Sequence, residues 1–121
     1  MTTKLLFARD DAGFNAYAPY FSTDKYTATL AATTDTTLTV PSNFPNWVAY
    51  FSVEAGKNVW LALNATAAVP AGATFASSTS ELIPNVSQYQ IGRNVKAGDV
   101  LHFFSQTGTA NVSVAFYAIT Q

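Results

Sequence analysis

The chain contains no cysteine, which excludes disulfide staples, thiolate zinc sites and cysteine nucleophiles. Charge is scarce as well. Asp, Glu, Lys and Arg supply 11% of the 121 residues, against roughly 25% in an ordinary soluble chain. Six Lys and Arg against seven Asp and Glu leave a net charge of -1. That balance offers no basic footprint for a phosphate backbone, so no nucleic acid is expected as a partner. Long apolar runs are missing too. No segment approaches the length of a membrane span, and the apolar run at residues 5–8 is too short for a secretory signal. No membrane partner is expected, and the chain reads as a soluble protein made in a cytoplasm.

What is present is apolar bulk. Hydrophobic residues make up 49% of the chain, enough to bury a real core, and 121 residues suit one domain but not two. With so few charges, polar coverage falls to Thr, Ser, Asn and Gln, which lose water more cheaply than Lys or Glu. Such a surface tolerates burial against other protein chains, because interface cores are depleted in charge.

The phrase V-x-A-G occurs three times, as VEAG at 53–56, VPAG at 69–72 and VKAG at 95–98. Glu54, Pro70 and Lys96 share no chemistry, so the repeat conserves a backbone need and not a reactive group. A type I turn with Gly at its fourth position and Pro favoured at its second accounts for all three copies. Between such turns the chain alternates in the manner of strands: YTATLA, TTLTV, WVAYFSV, NVWLALN, ATFASSTS, VSQYQIGRNV, DVLHFFSQ and ANVSVAFYAIT, with ELIPN as a connection. About eight short strands and no helical segment predict an all-β protein, an antiparallel β-sandwich of jelly-roll-like form. In the closing strand Val112, Val114 and Phe116 should face the core, opposite Ser113, Ala115 and Tyr117.

Residues 1–25 read differently, as an extended N-terminal arm ahead of a β-sandwich domain at 26–121. FARDDAGFNAYAPYFSTDK carries Phe7, Phe14, Tyr17, Tyr20 and Phe21 with no steady period. These aromatics need a groove, on their own domain or on a neighbouring chain, and are the expected protein interface.

Little in the sequence speaks for catalysis. The one histidine, His102, shares its strand face with Val100 and Phe104 and has no acid partner close in sequence; Asp99 belongs to the turn. No pair of the scattered carboxylates stands out by spacing for glycoside hydrolysis. Asp10 and Asp11 before Gly13 lack the ligand ladder of a calcium loop, so neither a metal nor a cofactor is expected. The chain reads as a non-enzyme. Trp60 alternates away from Val59, Leu61 and Leu63 and should point outward, beside Tyr50, as a protein contact or a sugar-stacking platform. Trp47, in register with Ala49, Phe51 and Val53, should be core.

The stretch TTLTVPSNFPNWVAYFSVEAGKNVWLALNATAAVPAGATF, continuing to VKAGDVLHFFSQTGTANVSVAFYAI, resembles small structural proteins of tailed-bacteriophage virions, capsid decoration (cement) proteins above all. The likeness covers residues 36–121 and rests on turn phrases and strand texture. It implies a jelly-roll-like fold and a homotrimer seated on the major capsid protein. It further implies residence on the virion surface after assembly in the bacterial host cytoplasm, and no catalysis. The other reading is a glycan-binding module of a phage capsid or tail that uses Trp60 and Tyr50.

Overall fold

The computed structural model describes residues 2–9, 12, 15–84 and 91–119. Ten strands form: β1 Phe7–Arg9, β2 Asn15–Pro19, β3 Asp24–Leu30, β4 Thr36–Thr39, β5 Asn46–Val53, β6 Val59–Leu63, β7 Ser80–Leu82, β8 Ile91–Lys96, β9 Val100–Ser105 and β10 Ala110–Ala118. β1 and β2 pair with each other as a hairpin, while the other eight make two four-stranded sheets, β3-β10-β5-β8 and β4-β9-β6-β7. All strand pairs within these sheets are antiparallel. Every connection among the eight body strands crosses from one sheet to the other, except β6 to β7. This interleaving is the jelly-roll connectivity, and it confirms the all-β sandwich expected from the strand texture.

Alternation explains which faces meet. β9 and β10 bury every second residue, among them Leu101, Phe103, Val112, Val114 and Phe116. Trp47, Ala49 and Phe51 of β5 and Val59 and Leu61 of β6 fill the same layer. Trp47 is wholly buried, as its register predicts, and its indole N–H donates to the Phe44 carbonyl at 3.0 Å. Phe51 from one sheet meets Phe103 from the other edge to face, with centroids 6.1 Å apart. Each such side chain is worth about 1.5–3 kcal/mol of burial.

The V-x-A-G repeat makes turns, though not in the expected frame. Lys57 N–H donates to Glu54 O at 3.2 Å and Asp99 N–H to Lys96 O at 3.1 Å. Glu54 and Lys96 therefore open their turns, and Gly56 and Gly98 sit third, at φ of 81° and 82°. A positive φ at the third position marks a type II turn, not type I. Both turns carry the chain between sheets. The second copy breaks the pattern. Gly72 has no positive φ and lies in the long β6–β7 connection, where no strand pair fixes a turn.

Other boundaries move as well. Residues 73–79, expected as a strand, are exposed loop, because Phe75 is the one large apolar side chain there and it points to solvent. β7 runs instead from Ser80, the last residue of that expected strand, through Glu81 and Leu82 of the expected ELIPN connection. There Ile83 is buried and its N–H donates to Val59 O. The strand expected over 86–95 is β8 from Ile91; residues 86–90 lie outside the described residues.

The leader is not wholly separate from the body. β3 starts at Asp24, opposite Phe116 of β10. Beyond that point the place beside β10 is taken by residues 3–5, with Lys4 bridging Ala118 in parallel. Leu5 N–H donates to Ala118 O at 2.9 Å, and Ala118 N–H donates to Thr3 O at 2.8 Å. Thr3 also bonds Thr23 through its hydroxyl, and Asn43 donates to the Thr2 hydroxyl. The domain's own sheet thus supplies the groove for the first residues.

Candidate functional site

The outer face of β3-β10-β5-β8 has two halves. Near one end it is hydroxyl-rich: Thr27, Ser113 and Ser52 share a row, and Thr29 donates to Asn111 Oδ1 at 2.7 Å. These residues and Glu54 line a shallow depression of about 590 Å³. Near the other end Tyr50 and Tyr117 meet edge to face at 5.6 Å, and Tyr117 Oη donates to the Tyr20 carbonyl at 2.5 Å. Burial first, and then the neighbouring Tyr50, push the Tyr117 hydroxyl above its ordinary pKa of 10.0. The leader is therefore tied to the sheet at residues 3–5 and again at Tyr20. Ser22 adds a third tie, its buried hydroxyl donating to Phe116 O.

Of the aromatics expected at an interface, Tyr20 and Phe21 stand in solvent, Phe21 with 91% of its surface exposed. Lys25 Nζ lies 5.9 Å from the centre of the Phe21 ring. Phe7 falls in β1 and Tyr17 in β2. Phe14 lies outside the described residues, as do Asp10, Asp11 and Gly13. Leu6, Phe75 and Leu82 are further exposed apolar side chains, and Leu63, expected on the core side with Val59 and Leu61, is half exposed at the end of β6.

Trp60 does point away from the core, in a row with Phe104 and Leu82 on the outer face of β4-β9-β6-β7. It is half-buried, and its indole N–H donates to Gln106 Oε1 at 3.2 Å. Tyr50 lies on the outer face of the other sheet. The two rings flank opposite sides of the sandwich and cannot form one platform. Consecutive strands β5 and β6 belong to different sheets, so likeness of alternation did not mean a shared face.

The β6–β7 connection folds back over that same outer face. Asn64, at φ 54°, turns the chain; it accepts from Val100 N–H at 2.8 Å and donates to Asp99 Oδ1 at 3.3 Å. Asp99 also accepts from Lys96 N–H, which fits its expected turn role. Further along, Ala67 is buried and its N–H donates to Asp35 Oδ1 at 3.0 Å. Asp35 Oδ2 lies 2.8 Å from His102 Nδ1. His102 therefore has an acid partner after all, one drawn from the β3–β4 connection. Burial alone would raise the Asp35 pKa. The hydrogen bonds from His102 and Ala67, with the His102 charge, outweigh it and hold the carboxyl below 3.8. Among the described residues no hydroxyl is hydrogen-bonded to the imidazole.

The two long sides of the sandwich differ. At one, Arg93 of β8 grips Glu81 of β7 with two of its three guanidinium nitrogens, Nε at 3.1 Å and Nη2 at 2.8 Å. This contact raises the Arg93 pKa. At the other side β3 and β4 end their sheets, and no such clasp joins them among the described residues. A groove of about 200 Å³ opens between them, lined by Tyr26, Ala28, Leu38, Phe103, Val112 and Val114 among others.

Comparison with protein-family models, with curated proteins and with solved structures finds no match for this chain.

Proposed function

We propose that this chain is a non-enzymatic structural protein that decorates and stabilises a phage capsid, bridging neighbouring capsid subunits as a homo-oligomer. The observation that carries the reading is the placement of large apolar side chains in solvent on a rigid β body. Phe21, Tyr20 and Leu6 stand out from the leader, and Phe75 from the β6–β7 loop. Exposed aromatics on a sparsely charged chain are cheap to dehydrate and suit docking against protein. The jelly-roll connectivity is compatible with a capsid setting but also serves lectins and other proteins, so it does not carry the reading. The phage setting is supported by the resemblance of residues 36–121.

The experiment mixes the purified protein with capsid shells stripped of accessory proteins and measures co-sedimentation. Binding is expected, and Phe21→Ser combined with Phe75→Ser should weaken it at least tenfold while leaving the melting temperature nearly unchanged. Failure to bind shells would remove the decoration reading. The sugar-binding alternative now rests on Trp60 without Tyr50, and a glycan array that retains the protein but not Trp60→Ala would favour it.

A further inference from the structure

β3 is the weak side of the sandwich. It is a sheet-end strand of seven residues that pairs with β10 alone, and residues 25–29 are exposed in succession. Half of its main-chain N–H and C=O groups therefore turn away from the sheet with no other described strand beside them. Proteins usually blunt such an edge with a very short strand, a proline, a bulge or several charges. The other sheet ends are shorter or clasped: β7 has three residues, β4 has four, and β8 is held by the Arg93–Glu81 pair. β3 has neither proline nor bulge, its register with β10 being unbroken from Asp24 to Leu30. Its charges, Asp24 and Lys25, sit together at its start, leaving Tyr26, Thr27, Ala28, Thr29 and Leu30 neutral.

We infer that β3 is the surface through which two copies of this chain join, β3 against β3 antiparallel, making one continuous eight-stranded sheet. It rests on the self-association that the decoration reading requires. Unpaired main-chain groups select a strand as occupant, and the side chains select this strand. A two-fold axis normal to a sheet must pass beside a residue that faces its own copy, since opposed residues share a face. Centred on Thr27, the pairing spans the whole strand. It sets Thr27 against Thr27, Lys25 against Thr29 and Tyr26 against Ala28, so no charge meets its like. Opposed threonines are a favourable cross-strand pair. The ring of Tyr26, 42% exposed in the single chain, gains a neighbour at the mouth of the groove between β3 and β4. The contact joins copies in pairs and yields an even-numbered assembly, instead of the trimer that the resemblance implies.

The absence of cysteine makes the test clean. Opposed Cα atoms in an antiparallel pair lie about 4.5–5.5 Å apart, within the roughly 4.4–6.8 Å that a disulfide spans. Thr27→Cys should therefore form a covalent dimer on mild oxidation, whereas Thr39→Cys on the β4 edge should not. Thr27→Lys sets two lysines face to face on exposed positions; it should halve the native mass measured by light scattering and leave the melting temperature nearly unchanged. A wild-type chain that is monomeric at high concentration overturns the inference, as does a Thr27→Lys variant that keeps the wild-type mass. That second result leaves capsid docking untouched, because shell binding is read separately by co-sedimentation.

Discussion

Asp35 and His102 stand 67 residues apart in the chain and 2.8 Å apart in the fold. Their pairing does structural work: one carboxylate oxygen meets the imidazole while the other holds the main chain of Ala67. The β6–β7 connection is thereby pinned across the outer face of its own sheet.

Removing that pin should free the connection. Asp35→Ala is expected to cost about 1–3 kcal/mol, since it strips a partner from a buried N–H and from a largely buried imidazole. Hydrogen exchange at the Ala67 amide should speed up selectively. Acid should act in the same direction. The folded-state pKa of Asp35 lies below 3.8, so its stabilising contribution is present above that value and lost as pH falls through the folded one. Asp35→Ala should flatten that part of the stability profile.

The leader should respond to alkali. Tyr117 keeps its proton more firmly in the fold than in the unfolded chain, where the ordinary value is 10.0. The contribution is complete below that value and lost as pH rises through the raised folded pKa. Ionised Tyr117 can no longer donate to the Tyr20 carbonyl. Exchange at the Leu5 amide, measured beside tyrosinate absorbance, should rise with the titration, and Tyr117→Phe should abolish the coupling.

The three V-x-A-G glycines should separate on substitution. Gly56→Ala and Gly98→Ala force a side chain into the left-handed region and should each cost about 1–2 kcal/mol. Gly72→Ala, without a positive φ and with open space around it, should stay within about 0.5 kcal/mol of the parent. Urea midpoints at unchanged slope would measure all three.

Gly92 has a different role. A Cβ placed there would come 3.0 Å from Tyr50 Cε1 and 3.1 Å from its Cδ1. Gly92→Ala should therefore cost about 1–3 kcal/mol through crowding. In a Tyr50→Ala background the cost should largely vanish, and a double-mutant cycle would show it as coupling between neighbours.

Much of the body was legible because it obeys a local rule. A strand with one buried face must alternate, so Trp47, Phe51, Val112, Val114 and Phe116 announced themselves as core. Where that rule has little to act on, the pattern misleads: residues 73–79 are mostly small with one exposed Phe75, and of the neighbours Leu82 and Ile83 only Ile83 is buried, just past the end of β7. Alternation turns Trp60 outward but leaves Tyr50 on the other sheet, because alternation gives a side and not a sheet. The missing blunting of β3 was visible in YTATL, but only its place at a sheet end makes that matter.

The amino-acid order by itself determined that this is a cysteine-free, sparsely charged β protein, most of the residues that line its core, and that the chain turns at Gly56 and Gly98. These follow from short-range periodicity and backbone sterics, which act between near neighbours. Only the tertiary structure decided which strands share a sheet, that His102 finds Asp35, that the leader runs beside β10, and that β3 is left with an open edge. Those pairings join segments distant in sequence, and they are selected by the burial of the whole core at once.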